Sequence, residues 1–540
     1  MQKAVTKIVI VGGGTAGWIT AGLIAAEHNA DNGRLSPSPK LDITLIESPD
    51  VPTIGVGEGT WPSMRSTLQK IGIDETTFLL QCDASFKQGS RFIDWQIASN
   101  HAVTSNMPNG LHSYLHPFTL PIGEPQFAIA PFWLPHKDQV SFADAVCQQN
   151  KVSQLALAPK QISTPEYSFI NNYGYHLNAG KFSQLLQQHC TKNLAVKHIT
   201  DHVTDIVLVD ETTQTDLPKG DISHVLTQQH GQIHADLFID CTGVKSLLLG
   251  DKLAVPFINQ KHVLFNDSAL AIQVPYADDN SPIASCTHST AQTNGWIWDI
   301  GLPTRRGIGH VYSSSHTDDD QALQQLMAYL KPDLGTKAAD ISPRKLNITP
   351  GHHQVCWKNN CVAIGMAAGF IEPLEASALA LVEWTAKAVA TQLPQTRDTM
   401  DIIAKRVNQQ FQHHWQQIIE FIKLHYVISN RSDSDYWHDH RTANSIPTAL
   451  TEQLALWQHQ APSQHDFIYR EMLFPAASYQ FVLYGMQFDT RPQVQLKPSM
   501  KQQAQQLFTE NSQRASRLSQ VLPTNRALLN QLKLNGFSKI

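Results

Sequence analysis

Three glycines near the start of the chain have the spacing that binds the pyrophosphate of a dinucleotide. They form the pattern Gly12-x-Gly14-x-x-Gly17 between an apolar run at 7–11 and a helical pattern at 18–26. The first glycine permits a tight turn, the second lets the backbone approach the pyrophosphate, and the third lets helix and strand pack closely. We therefore predict phosphate binding at the helix N-terminus, where free N–H groups and the helix dipole favour anions.

An acidic residue after the second predicted strand completes this site. Residues 41–46 form the strand and Glu47 follows it, placed to accept hydrogen bonds from the ribose hydroxyls. The acid usually lies about 20 residues beyond the glycines, and a polar insertion at 31–39 lengthens that spacing here. The glycine motif alone is compatible with FAD or NAD. FAD is favoured because the motif occurs once, and because Asp240-Cys241-Thr242-Gly243 follows another buried strand, as in two-domain flavoproteins.

Composition excludes several classes of protein. The chain has 540 residues, 42% hydrophobic and 16% charged, which predicts a soluble globular protein with a sizeable core. A net charge of −5 argues against nucleic-acid binding. Seven scattered cysteines form neither a metal-ligand pattern nor a disulfide framework, so we expect a reducing cytoplasm. We find no signal peptide and no apolar stretch near the roughly 20 residues of a membrane span.

Histidine is abundant, with 25 residues, but its doublets do not predict a metal site. The pairs 352–353 and 413–414 lack a matching set of carboxylates and histidines. We interpret them as surface or helix-face histidines.

Periodicity predicts further elements that would position these groups. Buried or alternating runs indicate strands at 205–209, 224–227, 235–239 and 361–364. Helical patterns occur at 377–393, 407–422, 448–459 and 499–520. The chain therefore changes from mixed α/β to mostly helical after about residue 395.

Seven further short segments follow the glycine motif in a distinctive order. They are Ile54-Gly55-Val56-Gly57-Glu58-Gly59, Ala84-Ser85-Phe86-Lys87, Arg91-Phe92-Ile93-Asp94-Trp95, His116-Pro117-Phe118, Gly295-Trp296-Ile297-Trp298-Asp299-Ile300, Gly369-Phe370-Ile371-Glu372-Pro373-Leu374-Glu375 and His425-Tyr426-Val427. With the glycine motif, this series resembles the flavin-dependent tryptophan halogenases over roughly residues 1–440.

The resemblance implies a fold, cofactors and partners. It implies an α/β, glutathione-reductase-like FAD-binding (Rossmann-type) fold: a module at 1–395 with inserted β-sheet substrate segments near 96–170 and 265–345, closed by a helical part at 396–540. FADH2 would come from a separate flavin reductase, chloride or bromide would be the halide, and a homodimer is one expected assembly. The positions implied to bind flavin are Gly12, Gly14, Thr15, Ala16, Gly17, Glu47, Ser48, Val51, Ile54, Glu58, Gly59, Val203, Met366 and Leu379.

Two catalytic residues follow from the same resemblance. Lys87 would capture hypohalous acid, by a hydrogen bond or as a haloamine, and present the halogen to one ring position. By composition alone, Lys87 would be an ordinary solvated charge. Glu375 would stabilise positive charge on the ring or accept the ring proton; an acid at a helix start is also favoured by the helix dipole alone.

Other implied contacts concern the halide and the ring. Backbone N–H groups of Ser377 and Ala378 would bind halide, although the family usually has Ser-Thr-Gly where this chain has Ala376-Ser377-Ala378, so chloride and bromide both stay open. The rings of Trp296 and Trp298 would separate flavin from substrate; two aromatics on one face of a strand are the plainer interpretation. His116 and Phe118 would line the substrate ring, or belong to the core.

The substrate itself is not defined by the sequence. The stretch 466–474 shows no recognisable pair of polar partners for the amino and carboxylate groups of free tryptophan. Indole, a substituted indole or a peptide-borne tryptophan fits at least as well. The rival functions are a flavin monooxygenase that hydroxylates an aromatic substrate directly and a flavin-binding protein without turnover.

Overall fold

The computed structural model of the chain describes residues 4–29, 40–51, 57–97, 112–211, 217–335, 342–467, 471–492 and 496–539. Its strands are β1 (Lys7–Val11), β2 (Asp42–Glu47), β3 (Glu58–Gly59), β4 (Ser85–Lys87), β5 (Gly89–Ile93), β6 (Ser113–Pro117), β7 (Gly174–Leu177), β8 (Lys197–Thr200), β9 (Val203–Leu208), β10 (Ile222–Thr227), β11 (Gly231–His234), β12 (Leu237–Asp240), β13 (Phe257–Asn259), β14 (Ser268–Pro275), β15 (Thr287–Gln292), β16 (Gly295–Gly301), β17 (Arg305–Tyr312), β18 (Arg344–Asn347), β19 (Gly351–His353), β20 (Trp357–Lys358), β21 (Cys361–Ala363) and β22 (Gly369–Phe370). Its helices are α1 (Thr15–His28), α2 (Ser63–Ile71), α3 (Glu75–Gln81), α4 (Ala130–Trp133), α5 (Phe142–Val146), α6 (Gln149–Gln154), α7 (Ala179–Asn193), α8 (Asp319–Leu334), α9 (Ser377–Thr391), α10 (Arg397–Val427), α11 (Asp435–Asp439), α12 (Thr448–Trp457), α13 (Ala476–Gly485), α14 (Pro498–Val521) and α15 (Asn525–Asn535).

A six-stranded sheet carries the dinucleotide motif. Its order is β20-β21-β12-β1-β2-β8, parallel except for β20 at one edge. The apolar runs of β1 and β12 are buried because helices cover parallel sheets. Helix α1 packs against α7 and α9, and the loop between β1 and α1 lies at the carboxyl ends of the strands, where such sheets bind ligands.

A seven-stranded sheet and a small three-stranded sheet carry most of the other predicted site residues. The larger has the order β18-β14-β17-β16-β15-β5-β6, with only the β15–β5 pair parallel, and includes the strands of both signature tryptophans and of His116. In the smaller sheet, β7 lies between β3 and β4. Gly59 on β3 and Ser85 on β4 both pair with His176 on β7, from opposite sides. This pairing brings β4, which ends at Lys87, close to the glycine-rich segment that ends at Gly59.

The C-terminal part is mostly helical, as predicted. The amphipathic pattern at 407–422 belongs to the 31-residue helix α10, and the predicted helices at 448–459 and 499–520 are α12 and α14. Helix α13 packs on β6, and α15 packs on β4. The predicted α/β architecture, with a Rossmann-type parallel sheet followed by a helical C-terminal part, is confirmed, whereas the division near residue 395 stays a prediction.

The histidine doublets are only partly as predicted. His413 and His414 lie on α10, but His352 and His353 are buried on strand β19, so their assignment to the surface or a helix face was wrong. The reason is packing: the His352 ring stacks on Trp415 at 4.9 Å between centroids. Within the described ranges, no helix is long and apolar enough to cross a membrane, and no group of three or more His, Cys, Asp or Glu side chains is arranged to hold a metal ion.

Candidate active site

The loop between β1 and α1 has the shape that a pyrophosphate needs. Gly12 has a φ of +119°, and a Cβ there would lie 2.1 Å from the carbonyl oxygen of Cys241. A Cβ on Gly17 would lie 2.0 Å from the Gly12 carbonyl oxygen. By contrast, a Cβ on Gly14 would meet no atom of the described residues within 4 Å, and none of their side chains caps the helix that begins at Thr15. The loop therefore combines an open approach with free N–H groups.

Glu47, whose contact with the ribose stays a prediction, lies beside this loop. A Cβ on Gly13 would be 2.2 Å from the Glu47 Cδ, so the carboxylate lies directly over the loop. Its Oε2 atom is 2.9 Å from Nε2 of His198, a partner that the sequence did not indicate. The neighbouring Ser48 hydroxyl is 3.3 Å from Nδ1 of His202.

A buried carboxylate without a partner supports the fit of a flavin. Glu58 Oε2 is buried and makes no hydrogen bond within the described part of the chain. Burial raises the pKa of Glu58 to about 7. Met366 is a large apolar side chain left 37% exposed, 3.9 Å from a Cβ built on Gly243. An open glycine cradle, an unpaired buried acid and an exposed apolar side chain are features that a bound dinucleotide would complete.

The other residues predicted to contact flavin are spread over several elements. Thr15 and Ala16 begin α1, Val203 begins β9, Leu379 is buried in α9, and Val51 is exposed. Ile54 falls outside the described residues. Contact between flavin and these side chains stays a prediction.

Lys87 is a buried amine and not a surface charge. Its side chain is 1% exposed, and no hydrogen bond or ion pair holds it among the residues that the structure describes. Its Nζ lies 5.5 Å from the centroid of the Phe118 ring and 3.0 Å from a Cβ built on Gly59. Burial lowers the pKa of Lys87 to about 8, although Glu375 acts in the opposite direction. A sizeable fraction of neutral amine is therefore present near pH 8.

Glu375 is a buried carboxylate between two histidines. His116 Nδ1 lies 3.0 Å from Oε2, and His425 Nε2 lies 3.0 Å from Oε1. Burial alone would raise the pKa of Glu375, but His116 and His425 outweigh it and lower the pKa to about 2. The indole N–H of Trp61 donates to the Glu375 backbone carbonyl at 2.8 Å, and His116 Nε2 lies 2.9 Å from the Ser478 hydroxyl. Glu375 is therefore ionised and fixed in position.

A cavity of about 150 Å³ opens onto this carboxylate. Its lining is mostly aromatic and apolar: Trp61, Pro62, His116, Pro117, Phe118, Leu120, Glu375, Leu473, Phe474, Pro475, Ala477, Ser478 and Phe481. A cavity of roughly this volume holds one benzene molecule. The structure brings His116, Phe118 and Glu375 together in this lining, and Lys87 Nζ lies over the Phe118 ring without lining the cavity. Substrate binding by these residues stays a prediction.

The N-terminus of α9 lies near the same amine. The helix begins at Ser377 after Ala376, whose φ is +53°, and no side chain in the described part of the chain caps it. A Cβ on Gly59 would lie 3.4 Å from Ala376 Cβ as well as 3.0 Å from Lys87 Nζ. Ser377 is buried and Ala378 exposed, so uncapped N–H groups are available for an anion there.

The signature tryptophans do not line the cavity. Both are buried on β16, with ring centroids 6.4 Å apart. The indole N–H of Trp296 donates to Glu372 Oε2 at 2.6 Å, and Glu372 lies three residues before Glu375. The Trp298 ring fills the space that a side chain on residue 309 would need. Trp296 thus anchors the segment that carries Glu375, and the barrier role of both rings stays a prediction.

Three functional neighbours of Glu375 were not predicted from the sequence. His425 belongs to one of the segments that carry the family resemblance, but the sequence does not indicate its contact with Glu375. Trp61 and Ser478 carry no local signal, because tertiary packing of the residues before α2 and of α13 brings them to the site.

Comparison with known proteins decides the family. A family model described as tryptophan halogenase matches residues 7–502. The chain belongs to the tryptophan halogenase family. It is a flavin-dependent halogenase of that family, and the resemblance extends beyond the residue 440 to which the sequence segments had traced it.

Individual relatives match over nearly their whole length. The chain is 31% identical to the tryptophan 6-halogenase SttH of Streptomyces toxytricini, over 96% of each chain. A crystal structure of a tryptophan halogenase from Shewanella frigidimarina NCIMB 400 shares 62% identity and a TM-score of 0.94, covering 100% of both chains. Tar14, a tryptophan C-6 flavin-dependent halogenase (chlorinase) from taromycin biosynthesis, shares 31% identity and a TM-score of 0.85, covering 98% of this chain and 100% of that one.

Proposed function

We propose that this enzyme halogenates the indole ring of tryptophan or of a related indole, using FADH2 from a separate reductase, O2, and chloride or bromide. The observation that carries the proposal is the position of Lys87. Its amine is buried, is unpaired among the described residues, and lies 5.5 Å from the centroid of the Phe118 ring, which lines the same cavity as Glu375.

The flavin would be held by the glycine loop and Glu47, and the carboxylate of Glu58 would be a further contact. Bound FADH2, with O2 and halide, supplies hypohalous acid. The uncapped N–H groups at Ser377 and Ala378 would hold the halide, close to Ala376 and Lys87. Tar14 is named a chlorinase, which supports chloride as the halide of this chain. Bromide stays a second candidate halide because residue 378 is alanine where the family usually has glycine.

Lys87 would capture the oxidised halogen. As an ammonium it donates a hydrogen bond to hypohalous acid; as a free amine it gives a haloamine and releases water. In the first case the ring C–H becomes C–X, and the ring proton joins the hydroxide released from hypohalous acid as water. In the second case the water has already left, and the ring proton restores the amine N–H as the N–X bond breaks, so atoms and charge balance in both. A pKa of about 8 makes both forms available at neutral to mildly alkaline pH.

Glu375 would act on the ring that fills the cavity. Electrophilic attack places positive charge on that ring, and a fixed, desolvated carboxylate stabilises developing charge better than water does. His116 and Phe118 would orient the ring, because both line the cavity.

The substrate class follows from the size and lining of the cavity. A space of about 150 Å³ with aromatic walls suits one aromatic ring system. Among the described residues that line the cavity, Glu375 is the only carboxylate, and two histidines already contact it. Tryptophan would therefore place its amino and carboxylate groups outside this lining, and indole needs no such partners.

The identity of the product tests the proposal. Purified enzyme is supplied with a flavin reductase, NADH, FAD, O2 and either chloride or bromide, and offered indole and tryptophan in separate reactions. A product mass that shows one halogen replacing one hydrogen supports it. A product that gains one oxygen and no halogen assigns a monooxygenase instead.

A further inference from the structure

His425 makes two contacts that together fix where its protons are. The residue is fully buried on α10. Its Nδ1 lies 2.9 Å from the backbone carbonyl oxygen of Phe421, one turn earlier, and its Nε2 lies 3.0 Å from Glu375 Oε1. A carbonyl only accepts hydrogen bonds, so Nδ1 carries a proton.

The second contact then requires a second proton. A neutral imidazole has one N–H, so a neutral His425 would turn a bare nitrogen toward a buried carboxylate. Protonation of Nε2 replaces that repulsion with an ion pair. Glu375 Oε1 lies at ion-pair distance from His425 Nε2, but the two atoms are not aligned for a hydrogen bond. The contact therefore acts mainly through charge. A buried carboxylate without such a partner would be costly.

His116, the other histidine on Glu375, does not need a positive charge. Its Nδ1 lies 3.0 and 3.1 Å from the two carboxylate oxygens, and its Nε2 lies 2.9 Å from the Ser478 hydroxyl. Since a hydroxyl donates as well as accepts, a neutral His116 with the proton on Nδ1 satisfies both contacts. The geometry therefore requires a second proton on His425 and does not require one on His116.

Other titratable groups face this pair from several elements. Lys87 on β4 and Tyr114 on β6 feel the charge of Glu375, and burial raises the pKa of Tyr114 well above its usual value, so it stays neutral. On the side of His425, Glu372 is the acid whose charge it feels. Three aromatic rings also pack against the His425 ring, those of Phe92, Trp95 and Phe421.

We propose that His425 is a positioning residue whose second proton keeps Glu375 ionised, so that Glu375 serves halogenation by its negative charge and not as a base. The inference rests on the proposed function for the meaning of that charge, but the charge itself is measurable without turnover. Helix α10 supplies both halves of the arrangement: the preceding turn fixes Nδ1, and this leaves Nε2 for the carboxylate.

Adjacent residues on α10 supply a matched control. Tyr426 donates its hydroxyl to Glu372 Oε2 at 2.7 Å, so Tyr426→Phe removes a hydrogen bond from the same helix to the same loop without touching Glu375. His425→Phe removes the positive charge in an aromatic surrounding that accepts a phenyl ring. His425→Gln keeps an N–H donor without the charge and serves as the second variant where His425→Phe folds poorly.

Infrared spectroscopy of the carboxyl group gives the direct test. For each flavin-free variant, the spectrum of the same protein with the added change Glu375→Gln is subtracted, which isolates the Glu375 carboxyl band. This band is then followed over the pH range in which circular dichroism shows that the protein is folded. Because an opposite charge at this range lowers a carboxyl pKa by about 1–3 pH units, its loss in His425→Phe should raise the midpoint by that amount. His425→Gln should shift similarly, and Tyr426→Phe should keep the midpoint of the unmodified enzyme.

Two outcomes overturn the proposal. One is a midpoint in both His425 variants that equals that of the unmodified enzyme, and the other is an equal shift in Tyr426→Phe, which would show loosening of α10 instead. Halogenation rates against pH are measured on the same variants, and their low-pH limb should move with the infrared midpoint. If no variant and no unmodified enzyme halogenates any indole, the proposed function fails, while the infrared titration still decides the role of His425.

Discussion

Replacing Lys87 with methionine should abolish halogenation and make the protein more stable, opposite to the usual effect of a buried substitution. The ordinary lysine pKa is 10.5, and burial lowers that of Lys87 to about 8. At 1.36 kcal/mol per unit of pKa, holding this charge in the folded protein costs roughly 3 kcal/mol. Methionine fills a similar volume without a charge, so Lys87→Met should recover up to about that free energy of unfolding at pH 7.

The pH dependence of this gain has a defined sign. Below pH 8, Lys87 is charged in both the folded and the unfolded state, so the full cost is present. Between about pH 8 and 10.5 the unfolded chain binds more protons, and the stability of the unmodified enzyme rises with pH. The advantage of Lys87→Met should therefore be largest near pH 7 and shrink toward pH 10.

A second buried lysine provides the control. Lys160 is as buried as Lys87, but its Nζ lies 2.7 Å from Glu75 Oε2. Lys160→Met would leave that carboxylate buried without its opposite charge, although Tyr167, Tyr173 and Tyr175 still donate to it. Removing one partner of a buried ion pair typically costs about 3–5 kcal/mol. Urea unfolding of the flavin-free proteins at pH 7 should rank Lys87→Met above the unmodified enzyme and Lys160→Met below it. A Lys87→Met protein that is less stable than the unmodified enzyme, or that still halogenates, would refute the reasoning.

Three further predictions concern the same site. Glu375→Gln should bind FAD normally, measured by flavin fluorescence, but lose about 10²-fold in kcat, because a charge aimed at the ring is removed; an unchanged kcat would exclude that role. Gly12→Ala should lower the thermal midpoint of the flavin-free protein, since its Cβ would lie 2.1 Å from the Cys241 carbonyl oxygen, whereas Gly14→Ala should leave that midpoint unchanged and weaken FAD binding. Equal midpoints for the two glycine variants would contradict the assigned geometry. If the free amine of Lys87 carries the halogen, kcat should rise with pH to a plateau above about 8, and a profile that is flat from pH 6 to 9 would favour the ammonium as the carrier.

The dinucleotide half of the site could be predicted from sequence because its determinants are local. The turn at Gly12 and the strand that ends at Glu47 are set by residues close together in the chain, and the buried parallel strands are visible as apolar runs. The long amphipathic helix α10 could also be predicted, because its apolar residues recur every three or four positions in the sequence.

The substrate half depends on contacts between distant segments. Lys87 alone would be an ordinary solvated lysine by composition, and only its segment and neighbours indicated chemistry. The burial of Lys87 is a property of the folded chain. His116, Ser478 and His425 meet around Glu375 because β6, α13 and α10 pack together. No spacing in the sequence encodes those contacts, which is why the second histidine on Glu375 was missed.

Competition by a scavenger of free hypohalous acid tests most directly whether the Lys87 amine transfers the halogen inside the protein. The enzyme turns over indole and bromide in the presence of excess methionine, which reacts with any hypobromous acid released into solution. We expect the yield and position of bromination to be unaffected by methionine in the unmodified enzyme, and methionine sulfoxide to replace bromoindole in Lys87→Met. Loss of bromoindole from the unmodified enzyme as methionine is added would show that the oxidant acts in solution, and would contradict transfer by Lys87.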